Sequence, residues 1–586
     1  MKKNYHSIFL LLNILLLCTA CNKNFLERYP LDQPSNSTYW KSENDLATYN
    51  NSLYNYTFAN DNVPILFGHS TGNNNNSILF QDSYTDNCAS TVGYFAQYRS
   101  GTHIVPGAAS GQPFGYRGWD FVRAINVGLE NYNKANVAQA IIDKYAGEAR
   151  LMRGWFYADK VLKFGDVPWV GKSLNIDAPE LYAPRMVRDS AMDKVLDDLN
   201  FAVTKLPNDW GDGNNPGRIN RWCALLVKAR VCLDEGTWRK YHNLPNATKW
   251  ITEASSAAKE LMEKGPYSLY QTGDVNNDYS LLHRAIVLPT NKEIMYYKKY
   301  ATGVINNNVQ ASFARTVLGS SKNFVEDVLC TDGLPISLSP LYKGDSIIEN
   351  TFLNRDPRLR QVILHPADSK KLGYDTTNAY PRLPGMSGLS LSNSGYHIIK
   401  HFNASYIGKA FNTGETPAIV FRFAECLLIY AEAQAELGLI TQADLDLTIN
   451  KLRTRAGMPK LMLTAVPVDP RYISDGLKPI IVEIRRERRV ELFNEGFRYN
   501  DLRRWRQGKK LEVPTWGIQW NAAAIARYPG AKIQTVVDPI SLKTYIDVFK
   551  GTVYAIPVFD ESKHYLWPIP LGSLAENPNI KQNPGW

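Results

Sequence analysis

Beyond residue 17 the sequence lacks any apolar run approaching the roughly 20 residues of a membrane helix, so no later span is expected. Cysteine is scarce, seven in 586 residues, and no C-x-x-C pair occurs, which argues against a zinc ribbon or a thioredoxin-type redox centre. Cys88, Cys223, Cys232, Cys330 and Cys426 form an odd set once Cys18 and Cys21 are set aside. On a single helix Cys223 and Cys232 stand about 13 Å apart, beyond disulfide reach, so they read as small buried hydrophobes. A large excess of one charge is missing too. The net charge is +10, with acids interleaved among bases along the whole chain, which argues against nucleic-acid or phosphate recognition.

Complete catalytic motifs are also lacking. Gly68-His69-Ser70-Thr71-Gly72 matches a nucleophile elbow, and a secreted serine esterase using Ser70 is the alternative reading, but "NNNNS" follows where a helix should begin. The stretch from Gly165 to Ser173, "GDVPWVGKS", has five residues between its glycines where a phosphate loop has four, and reads as a structural turn. His397 and His401 have helical metal-pair spacing without the glutamate. Their β-branched neighbours read as a strand, which would hold the rings about 13 Å apart, so no metal site and no cofactor are expected.

What is present begins at the amino end. Lys2 and Lys3, an apolar stretch from Ile8 to Leu17, and Cys18-Thr19-Ala20-Cys21 read as a signal peptide over 1–20 ending in a lipobox-like tetrad. Cys21 is then the expected lipidation site, and an acylated cysteine tethers a chain to a membrane without spanning it.

Further on, apolar residues recur at helical spacing. Leu46, Tyr49, Leu53 and Tyr56 follow a capping sequence at Ser42–Asp45, and Trp119, Val122, Asn126, Leu129 and Tyr132 follow next. Comparable stripes are Ile142 to Phe156, Met192 to Leu206, Trp222 to Cys232, Trp250 to Leu261 and Phe423 to Leu437. Their lengths and their alanines predict a mainly α fold: TPR-like helical hairpins forming a scaffold, with a large loop-rich face and a few short strands. Residues 59–115 and 266–415, rich in Gly, Asn, Ser and aromatics, are the expected loops, the latter with β-like runs.

Residues 480–505, "IIVEIRRERRVELFNEGFRYNDLRRW", set Glu483, Glu487, Glu491 and Glu495 in one helical row flanked by arginines. That pattern predicts a partly buried ionic network that fixes helix position. The stretch resembles the E-R-x-x-E-L-x-x-E-G-x-R-x-x-D-L-x-R-W segment of the SusD/RagB family of Bacteroidetes outer-membrane lipoproteins. "NFLERYPLDQPSNSTYWKSENDL", "EARLMRGWFYADKVLKFGDVPWV", "NRWCALLVKARVCLDEG", "NRDPRL", "FRFAECLLIYAEAQAELG" and the closing "PIPLGSLAENPNIKQNPGW" resemble family blocks in the same order.

The resemblance implies a non-catalytic cell-surface lipoprotein that binds oligosaccharide, or in some members peptide, and passes it to a SusC-like TonB-dependent outer-membrane transporter. It also implies two halves, 21–265 and 266–586, packed as one unit. Sugar rings call for aromatic platforms beside amide, carboxylate and guanidinium groups. On that ground Tyr84, Asp86, Asn87, Tyr94, Tyr98 and Arg99, with Tyr296 and Tyr300, are the candidate ligand contacts. On a regular strand Tyr296 and Tyr300 share a face and Tyr297 points away.

Overall fold

Ser42 opens the first helix, its N–H and its hydroxyl each donating to the Asp45 carboxylate at 2.8 Å, and α1 runs Glu43–Tyr54. The coordinates are a computed structural model describing residues 39–586, except 55, 59–60, 63–67, 70–77, 111–114, 214, 286–287, 289–290, 316–318, 370–381, 388–391 and 404–412. The signal segment, Cys21 and Ser70 lie outside the described residues.

After α1 come α2 (Gly93–Ser100), α3 (Trp119–Asn131), α4 (Gln139–Phe164), α5 (Arg188–Lys205), α6 (Arg221–Tyr241) and α7 (Ala247–Lys264). The anticipated stripes face inward: Ala149 and Met152 on α4, Val195 and Leu199 on α5, Leu225 and Ala229 on α6, and Ala254 and Leu261 on α7 are all buried. The heaviest helix pairings join sequence neighbours, α4 with α5 and α6 with α7, as hairpin pairs do. Close approach needs small residues. A Cβ on Gly236 of α6 would lie 2.6 Å from Ile251 Cγ1 and 2.8 Å from the Ile251 backbone nitrogen of α7. The Gly165 turn is structural, with Trp169 stacked on Tyr157 at 4.1 Å. Cys88, Cys223, Cys232, Cys330 and Cys426 are free and buried.

The chain's second half joins this stack through α8 (Phe423–Leu437), which packs on α7 and on α9 (Pro479–Glu491); α10 is Arg498–Arg504. Among the described residues strands are few and short, as expected. β1 (Ile294–Lys298) pairs antiparallel with β2 (Ala418–Arg422), and β3 (Trp516–Gln519), β4 (Thr535–Val537) and β5 (Thr544–Asp547) form an antiparallel sheet in the order β3-β5-β4. Elsewhere the extended segments meet through single bridges, such as Gly319 with His397 and Ile363 with Ile398.

Side-chain ion pairs do the tying that longer ladders would otherwise do. Glu491 accepts from Arg358 at 2.9 Å, Arg422 at 2.7 Å and Arg455 at 2.6 Å, drawing four separate segments together. Glu487 meets Arg358 and Arg453, and Arg486 meets Glu483, Asp327 and Asp469. Helix α9 ends at Glu491, so Glu495 leaves the predicted row, yet it still accepts from Arg422 at 2.7 Å and from Lys400. Apart from Glu495, which is half-buried, the network is buried, beyond the partial burial that the sequence suggested. Burying paired charges adds little net stability, whereas removing one partner is costly, so the network's main effect is to fix position.

Candidate functional site

The candidate contacts of the 84–99 segment sit largely inside this framework. Asp86 accepts from Arg498 Nε and Nη2, both at 2.8 Å, and from Arg489 Nη2 at 3.1 Å. Burial alone would raise its pKa, but the Arg489 and Arg498 charges outweigh burial and hold the carboxyl well below the usual range. Asn87 accepts from Arg489 Nε at 2.8 Å and donates to Asp82 at 2.9 Å. Arg99 donates to the Val513 carbonyl at 2.7 Å, with its guanidinium 5.3 Å from the centre of the Phe549 ring. Tyr84 is fully buried among Tyr94, Phe95 and Tyr98. Asp86, Asn87 and Arg99 therefore tie the amino-terminal half to α9, α10 and a neighbouring loop, and Tyr84 packs inside its own aromatic cluster, so all four side chains are engaged within the fold. Tyr94 and Tyr98 are half-buried, and Tyr98 packs on Trp567 at 4.6 Å and on His103 at 4.8 Å.

Around β1 the picture differs. The β1–β2 register is irregular between Tyr296 and Tyr297, where a regular strand would alternate its faces. Tyr297 stays paired with Ile419, and its N–H donates to the Pro216 carbonyl at 2.9 Å, docking the 215–218 loop beside the strand. Both residues border one pocket, but their side chains keep the expected alternation: Tyr296 packs into the main core, and Tyr297 packs with Leu282, Leu288 and Ile294 in a smaller cluster. Tyr300 lies past the end of β1, buried, and its hydroxyl donates to the His69 carbonyl at 2.5 Å, so it supports the site from behind.

The pocket has a volume of about 500 Å³, within the range of small-molecule sites. Helix α1 contributes Asn51 and Tyr54, the 215–218 loop contributes Gly217 and Arg218, and β1 contributes Tyr296, Tyr297, Lys298 and Lys299. A tight loop closes one side, where Ala301 and Ile305 exchange backbone hydrogen bonds of 2.8 and 3.1 Å around Gly303, whose φ of 81° favours glycine. Tyr296 lies 6.0 Å from Tyr54 and 5.7 Å from Phe421, ring centre to ring centre.

One buried carboxylate organises the wall. Glu148 of α4 accepts from Arg218 Nε at 2.9 Å and Nη2 at 2.8 Å, from Asn50 at 2.8 Å and from the Tyr54 hydroxyl. Burial would lower the Arg218 pKa, but the Glu148 charge and its hydrogen bonds outweigh burial and raise it. Arg218 also lies 4.0 Å over the Trp210 ring. The Lys298 ammonium is pushed down to about 8 by burial.

The half-buried Tyr54, an amide and a guanidinium thus meet at one opening, a combination suited to packing on a C–H face and bonding its hydroxyls. Among the described lining residues there is neither a carboxylate nor a histidine. A second cavity of about 150 Å³ lies inside the scaffold, but its charges already pair with one another, Arg230 with Glu425 and Arg188 with Glu235, both partly lining it.

Sequence reasoning missed Asn51, Tyr54 and Arg218. Tyr54 lies one position off the α1 stripe, which was the available signal, whereas nothing in the local sequence at Arg218 shows its partner at position 148.

Comparison with known proteins fits this architecture. SusD-like protein P2 of Formosa agariphila is 23% identical over 466 residues, covering 79% of this chain and 78% of that protein. A SusD-like protein of Bacteroides ovatus is 25% identical over 282 residues, 46% of this chain and 47% of that one. The crystal structure of a SusD-like carbohydrate binding protein from Bacteroides fragilis aligns with a TM-score of 0.70 at 21% identity, covering 93% of this chain and all of that one. A laminarin binding SusD-like protein aligns at 0.56 with 17% identity, over 93% of this chain and all of its own, and at such identities the likeness shows the fold. The SusD family model matches residues 289–586, and on that match the chain belongs to the SusD family.

Proposed function

We propose that the protein is a lipoprotein of the outer membrane, anchored through Cys21 and facing the exterior, that binds oligosaccharides and delivers them to a SusC-like TonB-dependent transporter without cleaving them. In this reading the signal segment 1–20 is removed, and residues 21–265 and 266–586 act as one unit. The observation that carries the reading is the pocket where Tyr54, Tyr296 and Tyr297 meet Asn51 and Arg218 in about 500 Å³. Its combination of ring faces and polar groups suits a sugar. Relatives described as carbohydrate binding and laminarin binding lend support at the level of the fold.

Calorimetry of the folded chain against an oligosaccharide panel, extended to peptides, tests the reading. Saturable sugar binding is expected, weakened severalfold in Asn51→Ala, an exposed lining residue, since loss of one hydrogen bond removes about 1 kcal/mol. A folded protein that binds no panel member would exclude it. Metabolic labelling with a fatty-acid probe tests the anchor. Incorporation is expected in the natural chain and not in Cys21→Ser, and an unmodified product in the medium would exclude the anchor.

A further inference from the structure

The pocket is electrically lopsided. Arg218, Lys298 and Lys299 all line it, and no carboxylate does among the described lining residues. Arg218 spends its charge on Glu148 behind the wall. Glu415 reaches the rim loop, where it accepts the Thr302 N–H at 2.9 Å.

Among the described residues Lys298 and Lys299 have no such partner. Among the described residues neither forms an ion pair; the Lys298 ammonium rests 5.9 Å from the centre of the Tyr300 ring, and Lys299 is exposed. Gly68 pins the Lys298 stem, since a Cβ there would lie 2.9 Å from Lys298 Cδ, at a φ of 151°. A half-buried ammonium without a counter-charge is disfavoured by its desolvation, in keeping with its lowered pKa, and a ligand anion would relieve that penalty. A neutral sugar would leave both charges uncompensated.

Resting on the glycan-binding reading above, we propose that this pocket selects acidic glycans: the carboxylate or sulfate ester of a sugar sits against Lys298 and Lys299 while the ring packs beside Tyr54. Arg218, already neutralised, bonds hydroxyls and does not supply the net charge.

The test titrates the full mature chain with matched probes: galacturonan oligosaccharides and their methyl esters, sulfated galactan oligosaccharides and their desulfated forms, and neutral laminarin, xylan and mannan oligosaccharides. At least one acidic probe is expected to bind about tenfold or more tighter than its neutral counterpart, and which acid wins separates carboxylate from sulfate. The preference should shrink between about 20 and about 200 mM salt as screening sets in. It should fall to within about twofold in Lys298→Met and persist in Lys298→Arg. Should Lys298→Met not fold, the exposed Lys299→Ala carries the test with an expected loss of about threefold. Neutral probes binding as tightly as their acidic counterparts, or the preference persisting unchanged in the lysine variants, would overturn the charge inference and leave the glycan reading standing. No binding by any probe would overturn both.

Discussion

Arg498 donates two hydrogen bonds of 2.8 Å to the carboxylate of Asp86, a residue 412 positions earlier in the chain. Arg489 reaches the same carboxylate at 3.1 Å, so two buried guanidinium groups depend on one acid. Asp86→Ala is expected to cost about 3–5 kcal/mol by leaving buried charge uncompensated, measured by urea unfolding. Glycan affinity of the fraction that folds should be unchanged. A large affinity loss with full stability would return Asp86 to the ligand site.

That pair also marks how far the sequence could be read. The helical stripes on α4 to α8 were legible because a 3.6-residue period exposes a buried face within one segment. The Glu483–Glu491 row was legible for the same reason, since an acid row flanked by arginines at helical spacing has few other uses. Asp86 carries no such signal. An acid near tyrosines looks alike whether its partner is a sugar or an arginine hundreds of residues away. The Tyr296–Tyr297 register irregularity was invisible too, because it depends on how β1 meets β2, and the pocket's other walls come from α1 and the 215–218 loop.

Close helix packing predicts unequal costs for two glycine substitutions. Gly236→Ala places a methyl 2.6 Å from Ile251 Cγ1 and 2.8 Å from a backbone nitrogen that cannot give way without moving α7. Gly154→Ala meets side-chain atoms of Asp198 and Leu199 at 3.3 Å, which need yield only slightly. Thermal unfolding should show Gly236→Ala destabilised by about 1–3 kcal/mol and Gly154→Ala by less. The reverse order would contradict the α6–α7 contact.

Acid should destabilise the protein in two stages. Burial holds His242, His397 and His401 at about 4 and His69 and His103 at about 3, whereas in the unfolded chain each titrates near 6.5. Between those values the unfolded chain binds more protons, so stability falls as pH drops below about 6.5. Glu432 and Asp469 come next. Burial would raise both, but Arg504 and Arg488 beside Glu432, and Arg471 and Arg486 beside Asp469, bring them to about 2. Their stabilisation is complete above the unfolded carboxylate range and is lost as pH falls toward 2. Asp234, which burial raises to about 6, opposes the trend, as do Asp82 and Asp120, which burial also raises, since protonation of each favours the folded state. These acids do not balance the five histidines and the lowered carboxylates together. Melting temperature measured from pH 8 to pH 3 should therefore decline throughout the acid range, and a rise toward pH 5 would contradict these assignments.

Glu148 links the stability of the scaffold to the charge of the pocket. Its two oxygens accept both Arg218 bonds, one from Asn50 and one from Tyr54, so replacing one oxygen by an amide sets donor against donor. Glu148→Gln should lose about 3 kcal/mol of stability. It also removes the charge that neutralises Arg218, adding a third uncompensated cation to Lys298 and Lys299. For a pocket that selects anions, the folded variant should bind its acidic probe several-fold tighter at low salt, with the gain fading as salt rises. Affinity for the neutral counterpart should stay level or fall, because Arg218 loses one of the two bonds that hold it in place. Calorimetry on protein confirmed as folded by circular dichroism separates the two effects, and weaker binding of the acidic probe would show that the position of Arg218 matters more to the site than its charge.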